Sequence, residues 1–144
     1  MRSVRSLLVV TGTMSALAIL GPAVGAADTP QPIVITKECT QYTGDIPSFC
    51  TVQTSTLLAI PAGTRIYYYG PLIDDPDYTS STAVINAGRG NRATGYCSLL
   101  GNVGTCSFWA GTGTLAGFHG AVQVTWQGGP YYTWTGTYRL DRRH

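Results

Sequence analysis

Two side chains of this 144-residue sequence are the first candidates for acid–base chemistry, because each is nearly alone of its kind. Glu38 is the only glutamate. A position inside a cavity would raise its pKa and make it a general base, whereas a rim or surface position would give it no such role. His119 is the only histidine apart from the terminal one, and strand alternation places it opposite Phe118 and Val122. It therefore faces either a partly polar lumen or solvent. We predict that Glu38 and His119 carry any proton transfer.

Arginines and aromatic residues are the candidate ligand contacts. Arg65 and Arg92 each begin a strand-like run near tyrosines. An arginine at a cavity mouth can hold a carboxylate through two hydrogen bonds, and an ordinary solvated charge is the alternative. The aromatic residues divide among core, cavity lining and a stacking surface for sugar rings. The predicted ligand-binding residues are Arg65, Tyr67, Tyr69, Arg92, Tyr96 and Trp134.

No residue pattern indicates a metal site. Asp74, Asp75 and Asp77 surround a proline and are typical of a turn, because their spacing does not fit a calcium loop. The four cysteines form no C-x-x-C pair and have no clustered histidines beside them, which argues against zinc. The sequence therefore predicts no bound metal, with a calcium loop and a zinc site as the alternatives.

The N-terminus has the pattern of a secretory signal peptide. Arg2 and Arg5 precede an uncharged apolar stretch over residues 7–20, and small residues lead to a cleavage site after Ala26 or Ala27. We predict a signal peptide over 1–26, one domain over 27–144 and a secreted or periplasmic protein with no membrane span after processing. A retained N-terminal anchor is the alternative. Without the signal, seven basic residues balance seven acidic ones, which favours neither nucleic acid nor an anionic membrane as a partner.

An even number of cysteines in an exported chain indicates two disulfide bonds. Four cysteines allow three connectivities, and local pairings are favoured here. A two-residue Gly-Asn turn pairs Cys97 with Cys106 when residues are counted outward from it, and directly opposed residues of antiparallel strands come close enough for a disulfide. Cys39 and Cys50 are then left to pair with each other.

Strand-like runs, rich in Val, Ile, Thr, Tyr and Trp, occupy the chain after the signal, with no helix-period segment. The predicted strands cover residues 33–38, 49–58, 65–71, 79–86, 92–99, 105–110, 115–126 and 131–140. Their short connections indicate antiparallel neighbours in a sandwich or a barrel. Glycines inside the seventh run, at Gly117 and Gly120, favour a coiled, closed sheet, because they allow a strand to bend or an aromatic ring to lie against bare backbone. We predict an all-β, eight-stranded antiparallel barrel.

The stretch "GTCSFWAGTGTLAGFHGAVQV" followed by "YYTWTGTYRL" resembles the allene oxide cyclase and dirigent superfamily of calycin-like barrels, whose members carry a similar Gly-Thr-Gly-x-Leu/Phe-x-Gly stretch before a closing strand. "GRGNRATGYCSL" and "IPAGTRIYYYGP" are similar to the middle strands of exported bacterial relatives, so the likeness covers about residues 49–140. The resemblance implies a cofactor-free, often homo-oligomeric barrel that binds a small hydrophobic molecule.

Known members of that superfamily cyclise, isomerise or stereochemically direct reactive substrates by holding them in a shaped apolar cavity. The expected function is therefore a cofactor-free cyclase, an isomerase or a stereo-directing protein. The alternatives are a non-catalytic envelope or extracellular module that binds a glycan or a lipid, and a structural barrel filled with side chains.

Overall fold

The computed structural model describes residues 29–43, 45–46, 48–70 and 78–141. Eight antiparallel strands follow one another around a closed barrel, and each strand pairs with the next in the chain. The strands are β1 (Gln31–Glu38), β2 (Ser48–Ser55), β3 (Arg65–Tyr69), β4 (Tyr78–Asn86), β5 (Arg92–Leu100), β6 (Val103–Thr112), β7 (Phe118–Gly128) and β8 (Tyr131–Leu140). The predicted all-β, eight-stranded fold is confirmed.

Pairing of the first and last strands closes the barrel. β1 and β8 are in register over eight residue pairs, from Gln31 opposite Tyr138 to Glu38 opposite Tyr131. Each of the eight described strands therefore has a hydrogen-bonded neighbour on both sides. The strands therefore enclose one interior with two ends.

One end of the barrel is filled with apolar side chains. We call it the closed end; the connections 56–64, 87–91 and 113–117 lie there. Alternation along each strand directs every second side chain inward. The buried residues toward this end include Ile33, Ile35, Val52, Leu57, Ile60, Ile66, Ile85, Ala93, Phe108, Leu115 and Phe118. The opposite end, which we call the open end, carries the short turns 101–102 and 129–130 and the β1–β2 connection.

Two glycines on inward-facing positions make room for phenylalanine rings. A Cβ on Gly120 would lie 3.0 Å from the ring of Phe118, and a Cβ on Gly95 would collide with the ring of Phe108. The prediction that Gly120 lets an aromatic ring lie against bare backbone is therefore confirmed, whereas Gly117 was wrongly placed inside the strand and lies just before β7 with a φ of 74°. The seventh predicted strand began too early, because Gly113–Leu115 forms a 3₁₀ turn whose Leu115 is buried at the closed end.

Both predicted disulfide bonds are present. Cys97 and Cys106 are direct partners in the β5–β6 ladder, and Cys39 is bonded to Cys50 across the β1–β2 connection. Two disulfides are compatible with an oxidising compartment outside the cytoplasm. The predicted signal peptide and Asp74, Asp75 and Asp77 lie outside the described residues. Across the described part of the chain, no helix is long and apolar enough to cross a bilayer.

Candidate functional site: a cavity at the open end

The interior at the open end contains a cavity of about 420 Å³. Inward-facing side chains of the strands form its wall, and both disulfide bonds contribute to it. Its lining residues are Lys37, Cys39, Tyr42, Cys50, Tyr68, Thr79, Ser81, Cys97, Leu99, Gly101, Asn102, Cys106, Val124, Gly129, Pro130 and Tyr132. The barrel that the described residues form is therefore packed with side chains toward the closed end and hollow toward the open end.

Lys37 lies at the inner side of this cavity. Strand β1 directs Ile33, Ile35 and Lys37 to the same side, and Lys37 is only 4% exposed. Its Nζ donates a hydrogen bond to the hydroxyl of Tyr68. Nζ also lies 4.5 Å from the ring centroid of Trp134, 5.0 Å from that of Tyr68 and 5.7 Å from that of Tyr132. The rings of Trp134 and Tyr132 therefore flank the amine, and Tyr68 meets it through its hydroxyl.

Burial strongly changes the acidity of this amine. Removal of Lys37 from water lowers its pKa from 10.5 to about 7, because a charged ammonium loses its hydration. Neither an aspartate nor a glutamate is among the described residues that line the cavity. The ring faces and the Tyr68 hydroxyl are the groups that stabilise the ammonium form. Neutral and protonated forms of Lys37 are therefore both populated near neutral pH.

Tyr68 is the hydrogen-bonding partner of Lys37 and remains a phenol. Burial raises the pKa of Tyr68 well above its usual range, and the neighbouring Tyr42 and Tyr132 raise it further. Tyr42 packs edge-on against Tyr68, with 5.3 Å between ring centroids, and burial raises the pKa of Tyr42 as well. The cavity therefore places a protonated phenol directly beside an amine that can lose its proton.

Trp134 is the one predicted ligand-binding residue whose side chain is inside the barrel. It is 1% exposed and contacts Phe108, with 5.3 Å between ring centroids. Its indole Nε1 is buried and has no hydrogen-bond partner among the described residues. Trp134 lies beneath the cavity, where its ring faces the Lys37 amine. It is not one of the residues that line the cavity.

The other predicted ligand-binding residues lie on the outer surface of the barrel. Tyr67 and Tyr69 flank the inward-facing Tyr68 and therefore point outward. The guanidinium of Arg65 lies over the ring of Phe49, 4.8 Å from its centroid. Arg92 and Tyr96 are also exposed. None of these five predicted residues reaches the cavity.

The two predicted proton-transfer residues also lie outside the cavity. Glu38 accepts a hydrogen bond from the backbone N–H of Thr40, at 2.7 Å. His119 is on the outer face of β7, where its Nε2 lies 3.0 Å from Asp141 Oδ2 and both side chains are partly exposed. Arg139 contacts the other oxygen of Asp141 at 3.2 Å. Neither the Glu38 carboxylate nor the His119 ring lines the cavity that contains the Lys37 amine.

Lys37 is the residue that the sequence reasoning missed, although two signals point to it. It is the only lysine in the chain, and all other basic side chains apart from the histidines are arginines. The alternation of "PIVITKE" also places it on the same face as two isoleucines. A solitary lysine on the apolar face of a strand is a candidate for a buried functional amine.

Comparison of this chain with protein-family models, with curated proteins and with solved structures finds no match. The likeness to the allene oxide cyclase and dirigent superfamily therefore stays a prediction. The described residues contain no group of three or more His, Cys, Asp or Glu side chains that could hold a metal ion. The geometry of the open-end cavity is therefore the basis for a functional assignment.

Proposed function

We propose that this protein is exported and binds a small, largely apolar molecule in the open-end cavity, with a polar group of that molecule against Lys37 and Tyr68. The observation that carries the proposal is a buried lysine, without an acidic partner among the described lining residues, at the inner side of a 420 Å³ cavity. A buried amine without a counter-ion destabilises a fold. A lysine at this position therefore indicates a role other than packing of the barrel core.

The size and lining of the cavity support a small-molecule ligand. Pockets for such ligands typically measure about 300–1,000 Å³ and combine apolar walls with a few polar groups. Here apolar surface comes from Leu99, Val124, Pro130 and the tyrosine rings, and Lys37 adds a group that can change its charge. Two disulfides and the predicted signal peptide fit an exported binding protein.

A cofactor-free cyclase, isomerase or stereo-directing activity is the catalytic form of this proposal. A cavity that fixes one conformation of a reactive substrate lowers the entropic part of its barrier. Lys37 and Tyr68 are the groups positioned for proton transfer there, whereas Glu38 and His119 lie outside. We therefore assign the acid–base role in such a reaction to the Lys37–Tyr68 pair.

A fluorescent apolar anion, 1-anilinonaphthalene-8-sulfonate, tests whether the cavity is accessible. Leu99 lines the cavity and Val103 is exposed at the adjacent turn, so Leu99→Trp and Val103→Trp form a matched pair. We expect Leu99→Trp to weaken binding by about tenfold or more, equivalent to about 1.4 kcal/mol, and Val103→Trp to leave it unchanged. Equal affinities for wild type and Leu99→Trp would exclude the cavity as the binding site.

The outer surface favours a second candidate, a glycan-binding module. Tyr69, Tyr96 and Trp109 are exposed by 47%, 41% and 54% on β3, β5 and β6. Thr82 pairs with both tyrosines, so they lie two strands apart, about 10 Å, in one row. Flat aromatic side chains in a row suit stacking against sugar rings. Retention on insoluble polysaccharides that is lost in Tyr96→Ala would support this function, and equal elution of Tyr96→Ala and the wild type would exclude it.

A further inference from the structure

Lys37 and Tyr68 are arranged so that one molecule in the open-end cavity contacts both. The amine and the phenol line the cavity and are hydrogen-bonded to each other. An atom attached to Nζ would therefore have its own substituents within reach of the Tyr68 hydroxyl. This arrangement fits a proton donor beside a nucleophile.

We propose that Lys37 forms a reversible imine with an apolar aldehyde or ketone in this cavity, with Tyr68 relaying the protons. The inference rests on the proposed small-molecule function and names its substrate class. Burial supports it, because a pKa of about 7 leaves a large fraction of Lys37 as the neutral nucleophile at neutral pH. An ordinary lysine, with a pKa near 10.4, is neutral in only about one molecule in a few thousand.

The reaction is balanced without an oxidant or a metal. The Nζ lone pair forms a bond to the carbonyl carbon, and the carbonyl oxygen takes a proton from the Tyr68 hydroxyl while nitrogen loses one, which gives a neutral carbinolamine. The carbon–oxygen bond then breaks, and the oxygen leaves as water with a second proton from the nitrogen. The net change is amine plus carbonyl to imine plus water, and Tyr68 ends as the phenol that it was.

The lining favours a carbonyl compound over a carboxylate. The groups that face Nζ are Tyr68 from β3 and Tyr132 and Trp134 from β8, and Tyr42 lies behind Tyr68. None of the described lining residues is an arginine, so a carboxylate would find no guanidinium for paired hydrogen bonds. One amine and one phenol match a ligand that offers a single oxygen on an electrophilic carbon.

Reductive trapping tests the proposal directly. We would incubate the exported protein at pH 7 with trans-cinnamaldehyde and sodium cyanoborohydride, and then measure the intact mass and map the adduct by chymotryptic digestion. The chain has no second lysine, so the N-terminal amine is the only other primary amine. We expect a stable adduct on Lys37 in addition to any adduct on the N-terminal amine, whose ordinary pKa of about 8 leaves part of it neutral at pH 7. An adduct found only at the N-terminal amine would overturn the proposal.

A relocated lysine provides the matched control. The double variant Lys37→Arg/Arg89→Lys moves the single lysine to an exposed turn at the closed end. We expect Lys37 to be labelled at least about tenfold faster than Lys at position 89, because far more of it is neutral. Tyr68→Phe keeps the ring and removes the proton donor, and should slow labelling of Lys37 by about tenfold or more. Equal rates for the native, the relocated and the Tyr68→Phe proteins would contradict an activated amine.

Two further arms keep the test decisive. If the relocated variant does not fold, the wild type is compared with itself in urea with its disulfides intact, and faster labelling of the native form supports the proposal. Cinnamyl alcohol has the same shape but cannot form an imine. Binding of the alcohol without any trapped adduct from the aldehyde would overturn the imine and leave the proposed function standing. If neither compound perturbs the tryptophan fluorescence, the proposed function itself is contradicted.

Discussion

Replacing Lys37 with methionine tests whether burial lowers the pKa of the Lys37 amine. The variant removes the charge and keeps most of the side-chain length. Burial lowers the pKa of Lys37 from 10.5 in the unfolded chain to about 7 in the folded protein. Below pH 7 both states hold the proton, and the folded state bears the full cost of the buried charge, about 5 kcal/mol at 1.36 kcal/mol per pKa unit. Cation–π contacts with Trp134 and Tyr132 oppose part of that cost.

The sign of the pH dependence follows from proton counts. Between pH 7 and 10.5 the unfolded chain keeps the Lys37 proton and the folded protein does not. The free energy of unfolding of the wild type therefore rises with pH in this window, by at most about 1.4 kcal/mol per unit. From pH 6 to pH 9 the contribution of Lys37 grows by roughly 2–3 kcal/mol. Lys37→Met has no such term.

Urea denaturation of wild type and Lys37→Met at pH 6, 7, 8 and 9 measures this difference, with the disulfides kept oxidised. Other titrating groups are common to both proteins and cancel in the subtraction. We expect the stability of the wild type relative to the variant to increase by about 2–3 kcal/mol from pH 6 to pH 9. Relative stability that is flat over this range would mean that Lys37 titrates as a hydrated lysine, and would refute the reasoning on the cavity.

Three other outcomes follow from the barrel. Replacing Cys97 and Cys106 with alanine should lower the free energy of unfolding by about 2–3 kcal/mol in chemical denaturation, because the unfolded chain loses a cross-link between cysteines nine positions apart; an unchanged midpoint would contradict this. Gly95→Ala should destabilise the protein by about 1–3 kcal/mol in the same assay, because its Cβ collides with the backbone oxygen of Ser107 and with the ring of Phe108; wild-type stability would show that the strand and the ring can shift at no cost. His119→Ala should leave ligand affinity in a fluorescence titration unchanged, since His119 lies outside the cavity, and a tenfold loss would place the binding site elsewhere.

Local patterns were sufficient to predict the strands and the disulfides. Alternating residues between Gly, Pro and Asn define each strand, and the Gly-Asn turn sets the register that opposes Cys97 to Cys106. The start of β7 was misplaced because Leu115 continues an apolar pattern while the 3₁₀ turn directs it into the closed end. A glycine inside a strand favours a coiled, closed sheet, and Gly120 lies under a ring as expected.

The cavity was harder to predict, because it depends on which alternate residues of each strand face inward. It also depends on which end of the barrel is packed with side chains. In "RIYYY" Ile66 is buried, so alternation along the strand makes Tyr68 the inward-facing tyrosine. The predicted ligand contacts were instead Tyr67 and Tyr69. The same rule identifies Lys37 from Ile35. No short sequence pattern indicates the cavity at the open end. The cavity forms because inward-facing side chains from strands distant in sequence leave space between them.

The choice of lysine at position 37 narrows the chemistry further. Of the nine basic Lys and Arg residues, eight are arginines, and the four arginines among the described residues, Arg65, Arg89, Arg92 and Arg139, are exposed. A methionine or leucine at this position would avoid the cost of burying an amine, and an arginine would keep a permanent charge. Lysine is the basic residue that burial can bring to a neutral, nucleophilic form near pH 7. Its neighbour Tyr68 is held as a phenol by the same burial. A role that required only apolar volume or only fixed positive charge would be met better by another side chain, which supports the proposed reaction, in which the Lys37 amine gives up its proton.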